Sequence, residues 1–216
     1  MSVALSVIGS IAIGYFIGCL SPSYIVGKIK GYDPRSSGSG NAGASNTIIM
    51  AGKAFGIIVM AIDILKAAAS CWIAKAVFPE FTLAPHIAGV SCTLGHMFPV
   101  FLGFRGGKGF ACLGGCVIGI MPKAFPLMLA IAVVIAFVTN YVCISTCCMS
   151  AIWPAYYGAV TGLWTGAAIL AVPLVPIVLK HMVNFRRIKE GREARFSFLW
   201  QRNKEIERLK AADASK

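Results

Sequence analysis

Acidic residues are scarce in this 216-residue chain. It holds eight Asp and Glu against twenty Lys and Arg, and charged residues of both signs make up only 13% of it. A water-soluble domain carries about 25% charged residues, so this composition excludes an ordinary soluble surface. Apolar residues form 57% of the chain and gather into long blocks instead of alternating with polar ones. Zinc-ligand cysteine pairs are absent, and so is a disulfide framework. Most of the eight cysteines (Cys19, Cys71, Cys92, Cys112, Cys116, Cys147, Cys148) lie inside apolar blocks, where they read as small packing residues. No positively charged segment precedes the first apolar block, which runs to about Val26, so a cleaved signal peptide is not expected.

What the chain does have is length in its apolar blocks. A bilayer-spanning helix needs about 20 mostly apolar residues. Seven crossings are expected, over Val3–Val26, Ala54–Phe78, Leu83–Gly95, Gly109–Ile120, Pro122–Thr139, Val142–Gly158 and Leu163–Leu179. The third and fourth are short, as tilted, re-entrant or shielded segments are. The expected fold is therefore an all-α polytopic integral membrane protein. Residues 1–196 would form one membrane-embedded domain and 197–216 a basic tail.

The net charge of +12 sits between the apolar blocks and in the tail, the pattern that orients membrane proteins. Membrane lipids and anionic substrates are the expected partners, and nucleic acid is not. Basic loops place residues 28–53, 95–108 and 180–216 in the cytoplasm, with the N-terminus outside and the C-terminus inside. The stretch from Phe196 to Lys210 mixes Phe198, Leu199, Trp200, Ile206 and Leu209 with basic residues. It reads either as a helix lying on the membrane or as a solvated tail.

Three segments carry chemistry. The first, Ser36 to Asn46, is rich in Gly and Ser and contains Asn41 and Asn46. Successive backbone N–H groups in such a loop can cradle an anion, as can the N-terminus of a helix starting near Ser45; a flexible linker has the same composition. The second, Leu94 to Gly109, sets Arg105 and Lys108 around Gly106 and Gly107 just before an apolar helix. That suits a phosphate, although the spacing is not that of a Walker A loop. His96 in this segment reads as a general base or as a satisfied structural histidine. The third begins at Lys180. Its His181, Asn184 and Arg187 share a face if the last helix continues; the plain reading is a positive stop signal. Asp63 and Lys66, three residues apart inside the second block, would pair within the membrane.

Together these segments resemble the bacterial acyl-phosphate:glycerol-3-phosphate acyltransferase family, the PlsY type. The family's SGNxGATN signature is matched by Ser39 to Asn46, and GHxFPVFxGFxGGKG by Gly95 to Gly109. The HxxNxxR with a following GxE is matched by His181, Asn184, Arg187, Gly191 and Glu193. The Asp63–Lys66 pair also agrees, and the similarity runs from the first span to about Phe196. The resemblance implies seven spans in the bacterial cytoplasmic membrane with the three motifs facing the cytoplasm. It implies acyl transfer from acyl phosphate to the 1-hydroxyl of glycerol 3-phosphate, giving lysophosphatidic acid for phospholipid biosynthesis. No cofactor and no metal are implied, and the soluble enzyme that supplies acyl phosphate is a further partner.

The implied catalytic set is Asn41, His96, Lys108 and His181. The implied substrate-binding set is Ser39, Gly40, Asn46, Lys53, Arg105, Gly106, Gly107, Cys143, Asn184, Arg187 and Glu193. Two positions depart from the pattern. Ile49 stands where the family usually has Arg, and Cys143 where it tends to have Ser, with Thr146 at a later place. Either Lys53, one helical turn beyond Ile49, supplies the missing cation, or the phosphate site is weak. The expected chemistry is a single displacement that needs no enzyme nucleophile, Cys143 being a minor alternative. The base is His96, His181 or an oxygen of the substrate phosphate. A transporter of a phosphorylated anion and an inactive paralogue are the competing readings.

Overall fold

A computed structural model describes residues 2–214; Met1, Ser215 and Lys216, the last two within the expected basic tail, lie outside the described residues. Those described form eleven α-helices and three short 3₁₀ turns, with no strand among them. The helices are α1 (Val3–Gly18), α2 (Pro22–Lys30), α3 (Ala44–Ala51), α4 (Lys53–Val77), α5 (Ala84–Met97), α6 (Phe110–Ile120), α7 (Phe125–Thr139), α8 (Val142–Thr161), α9 (Trp164–Ala171), α10 (Leu174–Lys189) and α11 (Arg202–Ala214). Four helical stretches, Val3–Lys30, Lys53–Val77, Pro122–Thr139 and Trp164–Lys189, are long and apolar enough to cross a membrane; Phe110–Ile120 is a shorter apolar helix. Large apolar side chains such as Ile8, Leu65, Val134 and Val175 are exposed, as a lipid-facing surface requires.

Small residues let the central helices approach closely. Gly14 and Gly18 of α1 lie against the Ala88 and Cys92 carbonyls of α5, and Gly95 of α5 lies against Tyr15 of α1. Without a hydrophobic driving force in lipid, such small-residue contacts supply the packing. A second core gathers around Trp153, joining Val90, Val117, Met128, Met149, Tyr157 and Leu170. Within it the His86 ring bonds to Tyr157 Oη at 2.7 Å.

Two of the expected spans are interrupted, and a further break precedes the second span. The first ends at Gly18, and Ser21 caps a new helix at Pro22 by accepting a hydrogen bond from Tyr24 N. Proline lacks the N–H needed to continue the helix, so carbonyls are left over at the break. Lys66 satisfies two of them, donating to Gly18 O at 3.1 Å and Leu20 O at 2.6 Å. The expected Asp63–Lys66 pair is present at 2.7 Å, and His96 Nδ1 lies 3.2 Å from both partners. The second interruption is at Gly52 (φ 95°), which separates α3 from α4. Ile49 and Lys53 therefore sit on different helices, and the shared helical face expected of them does not exist. The third, at Val172 and Pro173, divides the last expected span into α9 and α10, and α10 runs on through Lys189.

The tail does not hang free. Asn140, at the turn between α7 and α8, accepts from Phe196 N at 2.7 Å and, through Oδ1, from Ser197 N at 3.2 Å. Phe198 is buried, and Trp200 stacks on Phe137 with ring centroids 5.7 Å apart.

Candidate active site

The three motif segments converge on a cavity of about 490 Å³. Five cations line it: Arg35, Arg105, Lys108, Lys180 and Arg187. Ser39, Gly40 and Asn41 form a polar wall, Phe104, Leu179 and Val183 an apolar one, and no carboxylate is among the lining residues.

The first loop is shaped by its own side chains. Asn46 is fully buried. Its Oδ1 accepts from Ser39 N at 2.8 Å, and its Nδ2 donates to Pro34 O and Ser37 O, each at 3.0 Å. It is thus a staple inside the loop and does not line the cavity. Gly40 N and Gly43 N bond to Ser37 O and Asn41 O. The N–H groups of Ser39, Gly40 and Gly43 are therefore spent within the loop, and cationic side chains bring charge to the cavity. Arg35 is held by both oxygens of Asp33, donates to Leu102 O at 3.1 Å, and lies over the Tyr24 ring. The same contact holds the Asp33 carboxyl down at about 2, chiefly through the hydrogen bond from Arg35.

The second loop folds back onto the end of α5. Gly106 N and Gly107 N donate to Met97 O (3.2 Å) and His96 O (3.0 Å). A side chain at Gly107 would collide with the His96 ring and the Ala42 carbonyl, so glycine is needed here for close approach. Lys180 of α10 donates to Met97 O and, at 3.2 Å, to Gly107 O, tying the loop to the last helix. Arg105 is exposed at the rim.

Lys108 anchors a relay to the third segment. Its Nζ donates to Asn184 Oδ1 at 2.6 Å, and Asn184 Nδ2 donates to Glu193 Oε1 at 2.5 Å. His181, Asn184 and Arg187 share one face of α10, since α10 continues through them. Arg187 reaches across to donate to Ser39 O at 3.1 Å. Burial lowers the Lys108 pKa below its usual range; Glu193 opposes that shift, and Arg187 adds to it. Burial pushes the Glu193 carboxyl up, against the hydrogen bond from Asn184 and the charges of Lys108 and Arg187.

Ser39, Gly40, Asn41, Arg105, Gly106, Lys108 and Arg187 thus meet at the cavity, with Asn184 one hydrogen bond and Glu193 two behind Lys108, and Gly107 bracing the loop. Cys143, buried on α8, lies within electrostatic reach of Lys108. His96 and His181 are buried and line neither this cavity nor the smaller one beside it. His96 Nδ1 faces the Asp63–Lys66 pair, while His181 Nδ1 bonds to Ile177 O at 2.7 Å. Lys53 is exposed and lines neither of these two cavities. Arg35 and Lys180 are additional cavity residues. The signal for each was a cation touching a motif, Arg35 just before the Gly/Ser run and Lys180 beside His181.

A second cavity of about 220 Å³ adjoins the first, sharing Ser39 and Arg187 with it. Ile49, Glu193, Ile206 and Leu209 also line it. Asp63, His96 and Cys112 offer donor atoms within 4.8 Å of one another. The Lys66 ammonium already bonds to two of these donors, 2.7 Å from Asp63 Oδ1 and 3.2 Å from His96 Nδ1, so the donor set does not suit a metal.

Residues 8–191 match the sequence model of the family described as glycerol-3-phosphate acyltransferase. The protein of that name from Geobacter sulfurreducens is 32% identical over 186 residues, 86% of this chain and 95% of that protein. Its namesake from Exiguobacterium sibiricum is 31% identical over 94% of this chain and its own entire length. The Shouchella clausii protein is 44% identical over 115 residues, a stretch spanning 52% of this chain and 56% of the relative. A crystal structure of PlsY, an integral membrane glycerol 3-phosphate acyltransferase in its glycerol 3-phosphate form, superposes with a TM-score of 0.78. It is 28% identical, and the match covers 90% of this chain and 97% of that one.

Proposed function

The chain belongs to the glycerol-3-phosphate acyltransferase family, and from that premise we propose that it moves an acyl group from acyl phosphate to the 1-hydroxyl of glycerol 3-phosphate. The products are lysophosphatidic acid and inorganic phosphate. The observation that carries this reading is a cavity with five cations, no carboxylate in its lining, and an apolar wall of Phe104, Leu179 and Val183. Such a space suits two phosphorylated molecules, one of which carries an acyl chain.

The hydroxyl oxygen attacks the acyl carbonyl carbon, the bond from that carbon to the phosphate oxygen breaks, and phosphate leaves. Acyl phosphate already has a good leaving group, so holding two anions together and neutralising charge is the main task. Lys108 and Arg187 hold phosphate oxygens, and Asn41 orients the acceptor. The hydroxyl proton passes to an oxygen of the substrate phosphate, a reading supported by the absence of both His96 and His181 from the cavity lining.

The same reading takes the helical stretches as seven crossings, with the N-terminus outside and residues 28–53, 95–108 and 180–216 in the cytoplasm. That orientation rests on the distribution of Lys and Arg and sets the enzyme in the bacterial inner membrane. A soluble enzyme making acyl phosphate would supply the donor from the same side. Purified protein given acyl phosphate and glycerol 3-phosphate is expected to form lysophosphatidic acid and phosphate in equal amounts, and none from acyl-CoA. Folded protein that forms no lysophosphatidic acid from either donor contradicts the reading.

A further inference from the structure

Helix α11 lies beyond residues 8–191, the part of the chain that matches the family, yet it touches the cavity's cationic relay. The link is the turn after α10. Its inner side is fixed by α10, since Arg192 N and Glu193 N both donate to Arg187 O, at 2.8 and 3.2 Å. Its outward carbonyls are taken by one side chain of α11. Arg208 donates through Nη1 to Gly191 O and through Nη2 to Glu193 O at 2.6 Å.

Arg208 is itself held. Glu205, one helical turn earlier, accepts from Arg208 Nε at 3.0 Å and Nη2 at 2.5 Å, and its Oε1 also accepts from Arg195 N at 2.8 Å. Glu205 is only 6% exposed, so its carboxylate depends on these partners. Two further features fix where the helix lies. Ile206 and Leu209 line the second cavity together with Ile49 and Glu193, and the segment before α11 is docked on Phe137 and Asn140.

We propose that α11 is a positioning element of the catalytic cavity, in which Arg208 and Glu205 clamp the 191–195 turn and so hold the Glu193 carboxylate where it orients Asn184 and Lys108. Arg208 acts through other groups and does not touch substrate. A helix that merely closed off the tail would have no need to take the carbonyl of Glu193, which ends the Lys108–Asn184–Glu193 relay, together with that of Gly191. The consequence is that a change on α11, outside the motifs, alters how Lys108 meets a phosphate.

This inference rests on the reading of the larger, cation-lined cavity as the phosphate site, and its test separates the two. The groups facing Lys108 are Glu193 from the turn, Lys180, His181 and Arg187 from α10, and Cys143 and Cys147 from α8. Of these, Glu193 favours the ammonium most, and it is the one held by the clamp. If the clamp is cut, Glu193 drifts, the ammonium loses support, and the alkaline limb of the pH–rate profile moves to lower pH. The experiment uses the full chain with acyl phosphate and glycerol 3-phosphate, comparing Arg208→Ala, Glu205→Gln, Glu193→Gln, Arg208→Ala with Glu193→Gln, and Lys108→Ala.

Arg208→Ala is expected to lower kcat/KM on the order of tenfold to a hundredfold, as small misplacements do, and to move the alkaline limb down. Glu193→Gln should move the limb the same way, and adding Arg208→Ala to it should move the limb no further. Glu205→Gln, which loosens Arg208 without removing it, carries the test if Arg208→Ala does not fold. Wild-type kcat/KM and limb in a folded Arg208→Ala or Glu205→Gln, with Lys108→Ala inactive, overturn the clamp and leave the proposed function intact. Additive shifts in the double variant also overturn the clamp. Wild-type activity in Lys108→Ala overturns the cavity reading itself.

Discussion

Lys108→Met removes a charge while keeping an unbranched side chain of similar length. In the structure the ammonium is half-buried, faces four other cavity-lining cations, and is aimed by one 2.6 Å bond to Asn184 Oδ1. A hydrogen bond to a charged group contributes about 1.5–3 kcal/mol. At about 1.4 kcal/mol per tenfold in rate, losing one such bond to phosphate lowers kcat/KM by at least about 10- to 150-fold. The preorganised placement makes the upper end the expectation, because Lys108 is ordered before substrate arrives. Part of the loss should be in kcat if the lysine also meets charge that develops during transfer. Steady-state kinetics with each substrate varied in turn, alongside thermal unfolding in detergent, measure this. A folded Lys108→Met protein with kcat/KM within about threefold of wild type would show that the ammonium meets no phosphate.

Wild-type activity should fall at alkaline pH at a value below the ordinary lysine pKa of about 10.4, because burial lowers the Lys108 pKa and only the ammonium holds phosphate; a pH–rate profile checks it. Lys66→Met strands the buried Asp63 carboxylate and two carbonyls at the α1–α2 break, so unfolding free energy should drop by about 3–5 kcal/mol, measured by denaturant titration. Gly107→Ala forces a methyl into the His96 ring, and overpacking of this kind costs about 1–3 kcal/mol; a lower unfolding temperature with reduced turnover is expected. Lys53→Ala, an exposed change beyond the Gly52 break, should leave kcat/KM within about twofold of wild type, since surface substitutions typically stay within about ±0.5 kcal/mol.

Much of the architecture was legible because lipid solvent imposes a simple rule: apolar length makes helices. Every long apolar block in the sequence is helical, and the face shared by His181, Asn184 and Arg187 follows from helical spacing alone. The breaks were harder to see. Val3–Val26 reads as one apolar run, and what makes the gap at Cys19–Ser21 tolerable is Lys66, which comes from a different helix far along the chain. Gly52 has the same effect on Ile49 and Lys53. A sequence spacing of four implies a shared face only while the helix is unbroken.

The site was legible as a set of segments and less so as individual roles. An asparagine in a Gly/Ser loop looks the same whether it meets a ligand, as Asn41 at the cavity wall is placed to do, or staples the loop, as Asn46 does. Arg35 stands just before the Gly/Ser run in sequence, but only the folded chain brings its guanidinium to the cavity. His96 was a candidate base by residue type, but its ring belongs to the buried Asp63–Lys66 cluster that braces the α1–α2 break and the Gly107 turn. Backbone N–H groups in Gly-rich loops suggested an anion cradle, but here several of them close the loops instead.

The central claim is that phosphate is held by cationic side chains in the larger cavity, with Lys108 at its heart. The most direct test is an experimental structure of the full chain with glycerol 3-phosphate bound. The account predicts the phosphate inside that cavity, with Lys108 Nζ and the Arg187 guanidinium in hydrogen-bond contact with its oxygens and Asn184 still bonded to Lys108. A phosphate bound elsewhere, with Lys108 making no contact to it, would contradict the account.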